Sequence, residues 1–326
     1  MLDLQRRRWT IAAGVWVAAP IAALGQPARR FRVGFLFGSS REGVASEMAT
    51  TLARLRELGY EEGRNLDVVA RFADGQPARF PQLARELLEQ GVEVVHVPNT
   101  QGAVELQKLS DRVAIIFVVP DPVGAGLVAS LAHPGRNATG FTSGAPTIAT
   151  KRVELLKDAF PSIRTLGVLI DRNFPVTREL ALVNEAAQRL GIAVAVADAS
   201  SREEYRAAVN RLLAAGTDAY YVVYTGSAFA MRKELAAAIR DTRLPAVYGQ
   251  SRFADDGGLI AYSWQTLKVS VLAAEYVDRI LRGTRPGDLP VQEPTVIELV
   301  VNLATARAQG LKIRESVLLR ADRIVE

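Results

Sequence analysis

The sequence predicts an α/β protein of two doubly wound, parallel-sheet lobes. Three observations carry that prediction. Short β-branched runs alternate with helix-length amphipathic segments, the alternation is run through twice, and the helices repeatedly close on glycine, which accepts a left-handed C-cap. At 326 residues the chain has room for two cores of ordinary size, and 49% of it is apolar.

In the first pass, residues 31–37 (FRVGFLF) form a strand and 43–58 a helix stopped by Gly59. A strand at 66–71 and a helix at 77–90, closed by Gly91, come next. Strands at 92–97 and 114–119 flank a helix that starts at Gln101. The apolar run 115–119 then stops at Pro120-Asp121-Pro122, an amphipathic segment of helical length follows, and His133-Pro134-Gly135 breaks it. Extended character resumes at 138–141. This reads as a buried parallel strand, a short loop carrying an acid, a helix and a return strand.

The second pass has strands at 163–170, 193–197, 219–224 and 246–248. Helices at 176–190, 202–215 and 228–240 lie between them, the first two ended by Gly191 and Gly216. The boundary between passes falls near 142–149, which gives lobes at 26–143 and 144–258. No close sequence repeat relates the two. From residue 259 onward the alternation loses its regularity. Residues 264–281 are helix-like, 283–294 are rich in proline and glycine, 296–301 look like a late strand and 304–308 a short helix.

The N-terminus stands apart from both lobes. Arg6-Arg7-Arg8 precede the apolar run 9–24, and Ala23-Leu24-Gly25 offers small residues for cleavage. That succession is a secretory signal, so 1–25 are expected to be absent from the mature, exported protein. The run is short for a membrane span, although an uncleaved anchor and a twin-arginine route both stay open. Without these residues the net charge falls from +5 to +3, and the remaining basic residues are interleaved with acids. No nucleic-acid stripe results. The chain has no cysteine, which excludes disulfides, thiolate metal sites, a cysteine nucleophile and a lipidated cysteine anchor.

No catalytic constellation emerges. The two histidines, His96 in an apolar strand and His133 in a turn, lack partners at metal-ligand spacing, and no G-x-S-x-G, P-loop or G-x-G-x-x-G motif occurs. His96 reads as a core or strand-edge residue. Glu61-Glu62 and Asp255-Asp256 sit beside glycines and read as solvated turns.

Polar side chains gather instead at strand ends in both passes. They are Ser39, Ser40, Asn99, Thr100 and Asp121 in the first, and Asn173, Tyr224, Thr225, Gln250 and Ser251 in the second. Helix capping explains any one of them alone. As a set they mark a cleft, because ligands of open α/β sheets sit at the carboxyl ends of the strands, against helix N-termini. A ligand carboxylate suits Ser39, Asn99 and Thr100. Asp121 suits an ammonium, since Pro120 and Pro122 restrict its backbone, and its alternative role is a cap. Of the aromatics near strand ends (Phe37, Phe174, Tyr224, Tyr248, Phe253, Tyr262 and Trp264), core packing or hinge covering accounts equally well for most, and two or three at most are expected to face that cleft.

The stretch 121–140 reads D-P-V-G-x-G-L-V-A-S-L-A-x-P-G-x-N-x-T-G. It resembles the central signature of the ABC-transporter substrate-binding protein family that includes tryptophan- and tyrosine-binding members. LRELGYEEG at 55–63, KRVELLK at 151–157 and LPAVYG at 244–249 match the family in order. So do EPT at 293–295, ELVVNL at 298–303 and LRAD at 319–322. The resemblance implies the type I periplasmic-binding-protein architecture, with lobes joined by hinge crossovers and a crossover helix and C-terminal segment, 259–326, shared between them. It further implies a periplasmic binder of a small ligand that works with an ABC permease and its ATPase on separate chains. No ATP, metal or other cofactor is implied for this chain, nor nucleic acid, nor stable membrane insertion once the signal is cleaved. A ligand sensor signalling to a membrane receptor uses the same fold and cleft and is the competing reading.

Overall fold

The computed structural model describes residues 29–326 apart from 143–144, 174–175 and 294. The expected signal segment 1–25 and Phe174 therefore lie outside the described residues. The first lobe contains β1 (Phe31–Phe37), α1 (Ala45–Glu57), β2 (Leu66–Phe72), α2 (Phe80–Glu89), β3 (Val94–Val97), α3 (Thr100–Leu109), β4 (Ala114–Val119) and β5 (Ala138–Thr142). Its sheet is wholly parallel, in the order β2-β1-β3-β4-β5. Continuous apolar strands suit a sheet covered on both faces. Phe35 and Ile116 pack into one layer with α1, whereas Leu36, Ile115 and Phe117 pack with α2 and α3 on the other.

The second lobe begins with α4 (Ala145–Ala159), β6 (Thr165–Asp171), α5 (Thr177–Arg189), β7 (Ala193–Ala199), α6 (Arg202–Ala214) and β8 (Ala219–Val222). It continues through α7 (Gly226–Ala230), α8 (Arg232–Asp241), β9 (Ala246–Tyr248), α9 (Arg252–Asp255) and β10 (Ile260–Trp264). After α10 (Thr266–Leu281) come β11 (Ile297–Asn302), α11 (Leu303–Gln309), α12 (Glu315–Leu318) and β12 (Arg323–Val325). The sheet runs β12-β11-β10-β9-β8-β6-β7. Its segment β7-β6-β8-β9-β10 repeats the strand order of the first lobe. β11 runs antiparallel to β10, so this sheet is parallel-dominant rather than purely parallel.

The chain passes between lobes three times. It leaves the first sheet after β5, and it leaves the second after β10, because α10 docks on α1 of the first lobe. Tyr60 donates to Asp278 at 3.0 Å, Arg54 pairs with Glu275 at 3.0 Å, and Phe141 packs on Tyr276 with centroids 4.9 Å apart. Gln292 then bonds along β5, its N–H to Gly140 O at 3.0 Å and its carbonyl to Thr142 N–H at 2.9 Å, before β11 re-enters the second sheet.

Three sequence-based expectations need correction. The helix expected after Asp121 is absent, and residues 121–131 form turns. A single turn closes at once, since Gly126 takes φ +72 while Gly126 N–H and Leu127 N–H return to Val123 O and Pro122 O. That is a Schellman stop, and it inserts buried Leu127 and Val128 into the core. The helix expected at 228–240 breaks at Met231 into α7 and α8. Residues 260–264 form β10, so Trp264 ends a strand rather than opening a helix. Within the 121–140 motif, Gly140 has a backbone reason: at φ +147, an added Cβ would lie 2.0 Å from Phe117 O.

Candidate functional site

A cavity of about 530 Å³ opens between the carboxyl ends of the two sheets. In each lobe it lies where the strand order reverses, between β1 and β3 and between β6 and β8, the usual ligand position in doubly wound sheets.

Seven of the ten polar residues expected at the cleft line it: Ser39, Asn99, Thr100, Asp121, Tyr224, Thr225 and Gln250. Asn99 caps α3 by accepting from Gly102 N–H at 2.6 Å and donates to Leu36 O at 3.1 Å, which ties the ends of β1 and β3 together. Thr225 caps α7, accepting from Ala228 N–H at 3.1 Å. Asp121 stands at the rim with its side chain 45% exposed. One oxygen accepts from Gly124 N–H at 2.9 Å, and the other lies 4.0 Å from Arg178 of the opposite lobe. Asp121 therefore caps the turn that replaces the expected helix, and its charge already has a neighbour.

Ser40, Asn173 and Ser251 are not among the lining residues. Ser40 Oγ accepts from Gly43 N–H at 3.2 Å, Asn173 N–H donates to Asp171 at 2.9 Å, and Ser251 O accepts from Ala254 N–H at 2.9 Å. All three lie in local turns, and the side chain of Ser40 is bonded within its own. Among the named aromatics, Phe37, Tyr224 and Trp264 line the cavity. Tyr248 and Phe253 stack on each other in the core at 4.8 Å, and Tyr262 packs within the second lobe.

His96 belongs to the cavity wall, a place its apolar strand did not suggest. Its ring meets Phe35 and Phe37 edge-on, and burial holds its pKa down at about 4, only partly opposed by a hydrogen bond to the Ile116 backbone. It is neutral at pH 7. Among the described residues, His96 Nδ1, Ser39 Oγ and Trp264 Nε1 are buried in this wall and find no hydrogen-bond partner.

The charged part of the wall escaped the sequence reading. Arg152 of α4, 2% exposed, donates to Glu179 of α5 at 2.9 Å, to Tyr221 OH at 3.0 Å and to Tyr262 O at 2.9 Å. Burial pushes the Glu179 carboxyl up, against the pull of Arg152. A signal existed: Arg152 sits on the helix stripe of Ala149, Val153 and Leu156, and Glu179 on that of Val183 and Ala186. Charges on an apolar stripe require partners. Glu47 of α1 and Phe229 of α7 also line the cavity. Each acid of the wall faces a base, Glu47 with Arg252, Asp121 with Arg178 and Glu179 with Arg152. Aromatic walls with a few placed polar groups are what a small-molecule site requires. Among the described residues, no group of three or more His, Asp or Glu side chains could hold a metal.

A family model described as ABC transporter substrate binding protein matches residues 40–325. A tyrosine-binding protein of Clostridioides difficile is 23% identical over 260 residues, covering 79% of this chain and 74% of its own length. The structure of a conserved domain protein from Vibrio cholerae aligns with TM-score 0.85 and 27% identity, over 91% of this chain and all of that one. An ABC domain from Streptococcus pneumoniae, in complex with L-Trp, aligns with TM-score 0.83 and 22% identity over the same shares.

Proposed function

The chain belongs to the ABC transporter substrate binding protein family, and from that premise we propose that it captures an aromatic amino acid between its lobes for an ABC importer. The observation that carries the proposal is the cavity itself. Phe37, Tyr224, Phe229 and Trp264 contribute rings to the wall, and Glu47, Asp121, Glu179, Arg152 and Arg178 contribute charge. A flat side chain suits the first set and a zwitterionic end the second. The tyrosine-binding relative and the tryptophan-bound neighbour support that ligand class.

Ser39, Asn99, Thr100, Tyr224, Thr225 and Gln250 are the proposed ligand contacts, with Asp121 toward the ammonium. The ligand favours the closed lobes because it bonds to both. The protein works in the periplasm after loss of residues 1–25, and the permease and ATPase are separate chains. No helix among the described residues is long and apolar enough to cross a membrane.

The test is a thermal-shift and calorimetric screen of amino acids, nucleosides, sugars and organic acids. Tryptophan or tyrosine should raise the melting temperature, as any ligand specific to the native state must. Stabilisation only by a non-aromatic compound would overturn the ligand class.

A further inference from the structure

We propose that Arg252 is a latch between the lobes, setting how long ligand stays bound without touching it. Arg252 opens α9 of the second lobe, and its side chain reaches across to the first turn of α1. It donates to Ser46 Oγ at 2.7 Å and to Gly43 O at 3.3 Å, and it lies 3.6 Å from the Glu47 carboxylate. Glu47 is buried and Arg252 only 30% exposed, so water screens the pair little.

Two other approaches nearby use very small residues. A Cβ on Gly226 would come 3.6 Å from the Gly38 Cα, and one on Gly75 3.2 Å from the Ala230 Cβ. Such surfaces let the lobes meet closely and give little directional hold. Across the mouth, Arg178 is 69% exposed and 4.0 Å from Asp121, a geometry that contributes little. Of these approaches, the one at Arg252 carries the directional bonding.

Both halves of the latch are built into the cavity wall. Gln250, which lines the cavity, accepts the Arg252 backbone N–H at 2.7 Å, and Glu47 lines it from the other lobe. A ligand that orders Gln250 and Glu47 therefore orders the latch, and the latch holds the lobes over the ligand. All its partners are protein atoms, so its pull toward the closed form acts with or without ligand. Truncating one member of such a charged contact raises the dissociation rate more than it alters association.

The ligand-dependent half of the test rests on the amino-acid reading, and the other half does not. The chain has no cysteine, so a Gln82→Cys and Asn184→Cys pair places one spin label on each lobe without background. Without ligand, Arg252→Ala should lengthen the mean separation between labels, whereas Arg320→Ala, whose partner Asp158 is in the same lobe, should not. With tryptophan and tyrosine as probes, Arg252→Ala should release them about tenfold faster, as expected for loss of a charged hydrogen bond, with association changed less than about twofold. Ser46→Ala should act in the same direction and more weakly, and less than additively with Arg252→Ala. Label distances unchanged by Arg252→Ala overturn the latch, whatever the amino acids do. A lower melting temperature with unchanged distances also overturns it, leaving only a structural role. If neither amino acid binds the wild type, the ligand class fails, and the distances still decide the latch.

Discussion

Asn99 and Thr225 stand at matching corners of the two lobes, each capping the helix after the third strand in its sheet order. Asn99 accepts from Gly102 N–H at 2.6 Å and Thr225 from Ala228 N–H at 3.1 Å. Around these shared corners the lobes diverge. The first lobe's wall is mostly neutral, with Ser39 and His96 buried and Asn99 half-buried, and Glu47 is its one buried charge among the described residues. The second carries Arg152 and Glu179 inside, with Arg178 and Arg252 reaching outward to acids of the first. The shared strand order supplies the position of the candidate site, and helix-borne charges, which the order does not dictate, supply the charge of its wall.

The largest expected effect breaks this contrast at its charged end. Arg152→Met strands the buried Glu179 carboxylate and should cost about 3–5 kcal/mol in urea unfolding. Adding Glu179→Gln should recover part of that loss, because the charge left alone is then removed.

The neutral end is tested by pH. The folded pKa of His96, about 4, lies below its unfolded value of 6.5, so its contribution is whole above pH 6.5 and is lost as pH falls toward 4. The full difference is about 3 kcal/mol. His96→Asn should flatten this part of the stability–pH curve, and a curve parallel to wild type would count against a buried neutral imidazole.

The two caps give a smaller, graded comparison. Asn99→Ala should cost about 1–2 kcal/mol, since it loses both the cap and the bond to Leu36 O. Thr225→Ala should cost about 1 kcal/mol or less, because α7 is a five-residue helix. Chemical denaturation of both variants under one set of conditions ranks them.

Asp121→Asn should change stability least, by under about 0.5 kcal/mol, because asparagine keeps the cap to Gly124 N–H. If the Asp121 carboxylate meets an amino-acid ammonium, calorimetry should still show affinity falling at least about tenfold. Unaltered affinity would move the ammonium to Glu47.

Strand identity was legible wherever a β-branched run was bounded by glycine or proline. β1, β4 and β9 were read to the residue. The 121–131 segment misled because its apolar spacing is helical while Gly124 and Gly126 permit an earlier stop, and periodicity alone cannot weigh the two. β10 was hidden because IAYSW runs directly toward a strongly amphipathic helix, without a turn residue between. The site was legible as far as short polar residues at strand ends reveal it. Which of them turn inward depends on local hydrogen bonds such as Ser40 to Gly43, and the charges of α4 and α5 became informative only once their stripes faced the core.

The three passages of the chain between lobes bear on the order in which it can fold as it is synthesised. The α1 face of the first lobe is covered by α10, residues 266–281, which leaves the ribosome only after β6 to β10. The N-terminal sheet must therefore wait, one face covered by α1 without α10, while most of its sister lobe is made. Synthesis from N to C would ordinarily let the first domain finish first. Here the earlier half completes late, and a nascent chain stopped before residue 266 lacks the helix that finishes that face.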